Sequence, residues 1–185
     1  PAPLEVLEER TVGAGLGSDS IREGITASII GLIAVIVFMV LAYGLFGIFT
    51  TVTVLMNLFL MLGALSFMGA TLTLPGIAGI ILTIGMAVDA NVLIFERMRE
   101  EVKNGRSTKD AAEAGFTEAW GTIVDSNLTT LVAAFVLFYF GTGPVRGFAV
   151  TLAIGIATSM FTSVTVTRLI IASWLNKYKP TKLPI

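Results

Sequence analysis

From Gly24 to Phe95 the chain carries a single charged side chain, Asp89, and besides it the only ionisable group in that stretch is Tyr43. A helix needs about 20 apolar residues at 1.5 Å rise to cross a hydrocarbon core of roughly 30 Å. The stretch is long enough for three crossings. The rest of the chain agrees: 55% of the 185 residues are hydrophobic and only 14% are charged, where a soluble domain would carry nearer a quarter. The surplus apolar surface requires lipid, and the expected fold is an all-α integral membrane protein.

Five spans are predicted, at about 25–43, 48–69, 74–95, 122–140 and 148–174, together forming a five-helix transmembrane bundle over 25–175. The links Gly44–Gly47, Ala70–Thr73 and Gly141–Gly147 are short, so neighbours in sequence are expected to be antiparallel neighbours in space. Residues 1–24 read as an external lead-in, the end of a periplasmic domain preceding this chain. Gly13-Ala14-Gly15-Leu16-Gly17 reads as a hinge between that domain and the first span. It is not a nucleotide fingerprint, because no strand and helix flank it suitably. Residues 176–185 read as a tail.

Orientation follows from the basic residues. Arg97, Arg99, Lys103, Arg106 and Lys109 lie in one connector, and Lys177, Lys179 and Lys182 in the tail. Two spans separate these regions, so both are expected in the cytoplasm, with the start of the chain outside. Within the connector, Ser107 or Thr108 can cap a helix over about 108–120. Its face Ala111, Ala112, Gly115, Phe116, Ala119 and Trp120 suits either the membrane surface or the flank of the bundle.

With no cysteine and no histidine, thiol chemistry, zinc sites and imidazole shuttling are absent, and any proton handling must rest on carboxylates. A net charge of −1 argues against nucleic acid as a partner. No phosphate loop, nucleophile–base pair or metal-ligand cluster occurs, so an enzyme is not expected, nor a cofactor.

Asp89 stands seven residues before Glu96, roughly 10 Å inside the cytoplasmic edge. A carboxylate at that depth is expensive unless solvated or paired, which makes it a functional candidate by default. The plain alternative is a hydrogen bond across helices. Gly85, one turn earlier, would let a neighbouring helix approach, while Asn91 lies about 200° away around the helix. Asp125, with Ser126 and Asn127 beside it, could sit at the mouth of a secondary pathway; capping a helix or facing water is the favoured reading. Thr151, Gly155, Thr158, Thr162 and Thr165 form a stripe better suited to helix packing than to a water path. Asn57 reads as cross-helix glue, and Arg168 as a side chain snorkelling to the cytoplasmic surface.

Three runs carry a family resemblance. Gly85-Met86-Ala87-Val88-Asp89-Ala90-Asn91-Val92-Leu93-Ile94-Phe95-Glu96-Arg97 resembles the fourth-span motif of the SecD family of the bacterial protein-export machinery. Ala119-Trp120-Gly121-Thr122-Ile123-Val124-Asp125-Ser126-Asn127-Leu128-Thr129 resembles the start of that family's next span. Gly141-Thr142-Gly143-Pro144-Val145-Arg146-Gly147-Phe148-Ala149 resembles its last external turn, and Val12 to Gly24 its lead into the membrane.

The resemblance implies spans two to six of SecD, half of a pseudo-symmetric transporter of the resistance–nodulation–division (RND) type. It implies SecF as the partner half, the SecYEG channel and an unfolded preprotein as further partners, and the bacterial inner membrane as location. It also implies a proton or sodium ion as coupling ion, taken up at Asp89, with an acid and an arginine supplied by SecF. No firm role is implied for Asp125 and Asn127. Two other readings compete: an RND exporter of small molecules or lipids, and a passive module docked on the translocon.

Overall fold

The computed structural model describes residues 14–70 and 72–184, with side chains from Ser18 onward. Every regular element among them is helical: α1 Ala14–Phe67, α2 Leu74–Lys103, α3 Thr108–Phe140, α4 Pro144–Met160, a π-helical segment Phe161–Val166, and α5 Thr167–Tyr178. Four continuous helical stretches are long and apolar enough to cross a membrane: Ser18–Phe67, Leu74–Lys103, Thr108–Phe140 and Pro144–Tyr178. The described residues therefore form four such helices where five separate ones were expected.

The difference lies at Gly44, where α1 runs on through a residue with φ 53 and ψ −121. This backbone region is open essentially to glycine alone. A Cβ on Gly47 would collide with the Met39 carbonyl and with Val40 Cα. Eight residues of straight helix would separate those atoms by about 12 Å, so the chain folds back on itself there.

Contacts fix the direction of each arm of α1. A Cβ on Gly24 would lie 3.2 Å from Ile77 Cγ2, and Tyr43 Oη donates to Glu96 Oε1 at 2.9 Å. Both pairs are 53 residues apart (77 − 24 and 96 − 43), so the first arm runs parallel to α2. The second arm returns: the Phe46 ring packs 5.4 Å from Phe95, tilted, and 5.9 Å from Trp174, edge-on, and Thr53 reaches Thr167, the partner of Asn91. Arg99 ties down the turn, donating to the Ala42 carbonyl at 2.7 Å and lying 4.7 Å over the Tyr43 ring. A cation on a terminal carbonyl suits the negative end of a helix.

The helices outrun the predicted spans because crossing a bilayer boundary does not stop a helix; a capping or breaking residue does. The hinge expected at 13–17 is not one in its described part, since residues 14–17 already open α1; Gly13 lies outside the described residues. Thr73 caps α2, accepting from the Gly76 N–H at 3.3 Å, with Pro75 in the first turn. The helix then continues past Phe95 through Glu96–Arg99 and Arg97–Glu100 pairs at 2.7 and 2.8 Å, until Gly105 turns the chain at φ 86. Ser107 caps α3. No breaker follows, so residues 108–120 and the expected fourth span form one helix and not a separate surface piece.

Close helix approach places α2 at the centre. A Cβ on Gly115 of α3 would lie 3.1 Å from the Ile94 carbonyl and collide with Met98, and one on Gly155 of α4 would collide with Thr83. Thr151, Gly155 and Thr162 of the small-residue stripe are buried, whereas Thr165 is exposed. The stripe therefore serves packing over most of its length.

Candidate ion-coupling site

Along α2 the side chains divide by face. Ala87, Asn91, Ile94, Phe95 and Met98 turn inward and are buried, whereas Asp89 is exposed. It opens into a groove of ≈190 Å³ between α2 and α3, walled by Met86, Ala90 and Leu93 on one side and by Thr122, Ser126 and Asn127 on the other. The i, i+3/i+4, i+7 spacing of Met86, Asp89, Ala90 and Leu93 makes them one face of the helix.

Among the described residues no donor or cation reaches the Asp89 carboxylate. Gly85 has nothing within 4 Å of where its Cβ would be. The close helix approach expected there is therefore not made among the described residues. This carboxylate, beside a glycine with free space, has no counter-charge among the described residues, and the surface around it is open.

The structure brings Asp89 and Asn127 to the same groove and leaves Asp125 outside it. Asn127 is half-buried and donates its amide to the Ile123 carbonyl of its own helix at 2.8 Å. Asp125 is exposed and stands seventeen residues after Thr108, the first of α3 (125 − 108). A helix-capping role for it is thereby ruled out, because capping is a first-turn function.

A second polar feature escaped the sequence reading. On the inward side of α2, the Thr167 hydroxyl lies 3.0 Å from Asn91 Oδ1, 3.3 Å from Thr53 Oγ1 and 3.2 Å from the Thr162 carbonyl. Ser163 donates to the Ala87 carbonyl at 3.1 Å, and all six of these residues are at most 1% exposed. The π segment supplies two of them, and its wider turn shifts Thr167 to the Thr162 carbonyl five residues back. The helical spacing of Ala87 and Asn91 was a usable signal, but only the fold reveals that Thr53 and Thr167 meet Asn91. Asn57, expected to be the cross-helix glue, is fully buried with neither amide atom bonded among the described residues; Asn91 makes the cross-helix bond instead. Asn91→Leu, which removes the shortest of the three Thr167 contacts and the one that joins it to α2, is expected to destabilise the bundle by about 1–3 kcal/mol, measured as a lower midpoint of thermal unfolding in detergent.

A central helix wrapped by other apolar helices, with one open carboxylate on its flank, defines a multi-span membrane protein with an incomplete charged site. The family described as protein export membrane protein SecD/SecF, C-terminal, matches residues 2–177. The protein translocase subunit SecD of Koribacter versatilis (strain Ellin345) is 55% identical over 179 residues, covering 97% of this chain and 34% of that protein. The SecD subunit of Rickettsia prowazekii (strain Madrid E) is 53% identical over 183 residues, covering 99% and 35%. A crystal structure of SecDF from Thermus thermophilus, described as a translocon-associated membrane protein, superposes with a TM-score of 0.89 at 42% identity, over 92% of this chain and 24% of that one. SecDF in its super-membrane-facing form gives 0.84 at 44% identity, over 96% and 24%.

The chain belongs to the SecD/SecF C-terminal family of protein-export membrane proteins, and within it to the SecD side. It spans about a third of the length of the curated relatives it matches.

Proposed function

We propose that this chain is the membrane-embedded part of a SecD-type translocase subunit. With SecF, it couples an ion gradient to the completion of preprotein transfer through SecYEG. The observation that carries this reading is that open carboxylate. Asp89 is the only charged residue from Gly24 to Phe95, it faces out of the bundle, and among the described residues nothing neutralises it. A SecF half packed on that groove would supply the counter-charge. A proton or sodium ion taken up at Asp89 would then favour one packing of the two halves, and its loss the other, which is what a gradient-driven device requires. A drug or lipid exporter could use the same kind of acid, but the relatives and structural neighbours are protein-export proteins.

The topology that goes with this function has five crossings. The stretch Ser18–Phe67 has 50 residues, about 75 Å of helix against a core of roughly 30 Å, and the reversal at Gly44 lets each arm cross once. The turn lies at the end of the bundle that holds Arg97, Arg99, Lys103, Arg106 and Lys109, and a Cβ on Gly44 would lie 3.4 Å from the Pro184 carbonyl of the tail. An excess of basic residues marks the cytoplasmic side, so the tail lies inside and the start of the chain outside, in the bacterial inner membrane.

The test is gradient-dependent export of a slow-folding precursor into inverted membrane vesicles, comparing the full-length protein with its Asp89→Asn variant. A second result is expected from the same assay. Residues 1–185 on their own, holding the coupling residue without the external domain that would act on the precursor, should give no gradient-stimulated export above vesicles lacking the subunit; stimulation equal to that of the full-length protein would contradict this division of labour.

A further inference from the structure

At the basic end of the bundle, α3 and α5 stand apart and leave a cleft of ≈180 Å³. Its walls are Lys109, Ala112, Glu113 and Phe116 on α3 and Arg168, Ile171, Ala172 and Leu175 on α5, with Asn176 at the rim. The Arg168 guanidinium sits 5.9 Å over the Phe116 ring. Lys109 lies seven residues from Phe116 on the same helix, so the two cations mark the ends of a slot about 10 Å long. Among the described residues no carboxylate lies within 4 Å of either cation. Glu113, between them, is the one acid in the wall and leaves the slot with a surplus of one positive charge.

The depth of the slot is set by two residues. Trp120, one turn from Phe116 toward the membrane interior, is 47% exposed, and an exposed indole on an apolar helix marks the headgroup level. Arg168 is likewise exposed at the level of Phe116. The slot therefore starts at the boundary of the acyl region and extends away from it. The cleft is roomy enough for several water molecules, and so for a phosphate and a small polyol, and it is too small for a folded partner.

We propose that this cleft is a binding site for the headgroup of an anionic phospholipid. The phosphodiester lies on Arg168, the polar headgroup runs along Ala112 and Ala172 toward Lys109, and the acyl chains pass Trp120 into the bilayer. A planar guanidinium on a phosphate and a more distant ammonium give charge complementarity that a zwitterionic lipid, with its own cation near Lys109, lacks. The site is separate from the Asp89 groove and does not depend on any role in ion coupling.

Native mass spectrometry of the full-length protein in a non-ionic detergent tests this, with phosphatidylglycerol and phosphatidylcholine of identical acyl chains titrated in parallel. Each basic residue near an anionic lipid is expected to matter roughly fivefold. The K109Q/R168Q double variant should lose most of the preference for phosphatidylglycerol, whereas Glu113→Gln should strengthen it several-fold. Glu113 is exposed and makes no ion pair among the described residues, so that variant decides the matter even if the double variant fails to fold. An unchanged preference in both variants overturns the proposal. So does displacement of the lipid by millimolar inorganic phosphate, which would make the cleft a site for free anions.

Discussion

Replacing Asp89 with Asn in the full-length protein is expected to abolish the gradient-stimulated part of export while leaving assembly and thermal stability unchanged. The amide has nearly the same shape as the carboxyl group but can neither release a proton nor hold a cation by charge. Asp89 is exposed and bonded to nothing among the described residues, so the described part of the bundle loses no interaction, and a stability change within about 0.5 kcal/mol is expected for such a site. The functional loss should be large. One elementary charge moved across 100 mV is worth about 2.3 kcal/mol, roughly a fifty-fold bias on any equilibrium the ion drives. A neutral, non-titrating residue forfeits that bias. Asp89→Glu keeps the ionisable group but displaces it by a methylene, and should retain part of the stimulation. Precursor export in inverted vesicles, with the gradient present and then collapsed, separates the two components. Unchanged stimulation in the Asn variant would leave Asp89 as a passive polar residue and favour a subunit that merely docks on the translocon.

The largest structural effect should come from Gly47→Ala. The added methyl would fall on the Met39 carbonyl and close to Val40 Cα, and backbone cannot yield as the tip of a flexible side chain can. The two arms of α1 would have to open at the turn. That displaces Phe46 from its packing against Phe95 and Trp174 and pulls Tyr43 from Glu96. Overpacking of this kind costs about 1–3 kcal/mol where the surroundings can shift, and here they are backbone, so the upper part of that range or beyond is expected. The measurement is the midpoint of thermal unfolding in detergent, followed by size-exclusion chromatography. Gly63→Ala is the control: nothing lies within 4 Å of its Cβ position, and replacing glycine by alanine in a helix is favourable by roughly 1 kcal/mol. Equal midpoints for the two variants would mean that the turn at Gly44 is looser than these contacts indicate.

Both outcomes concern features that the chain displays unequally on its face. Asp89 was legible because a lone charge in a long apolar stretch is conspicuous and costly, whatever surrounds it. The side of the bundle it occupies was not, since helical periodicity distinguishes Asp89 from Asn91 without revealing which of the two faces inward. Asn91 proved to be the interior one because Thr53 and Thr167, far apart in sequence, converge on it. Asp125 and Asn127 looked equivalent as neighbours; two residues of helix turn them about 200° apart, and only Asn127 reaches the groove.

Composition and charge distribution by themselves determined that the chain is helical and membrane-embedded, because an apolar surplus of this size can be covered only by lipid and backbone groups in lipid must be satisfied within each helix. They also determined the residue that is costliest there, and the motifs around it carried the family. Tertiary structure decided what local sequence does not encode: the reversal at Gly44 within one continuous helix, the absence of a break between residues 108–120 and the span that follows, the inward polar network, and the open flank on which Asp89 sits. Each of these depends on which helix faces meet, and that is settled by how closely glycines such as Gly115 and Gly155 let backbones approach, not by the order of residues along any one helix.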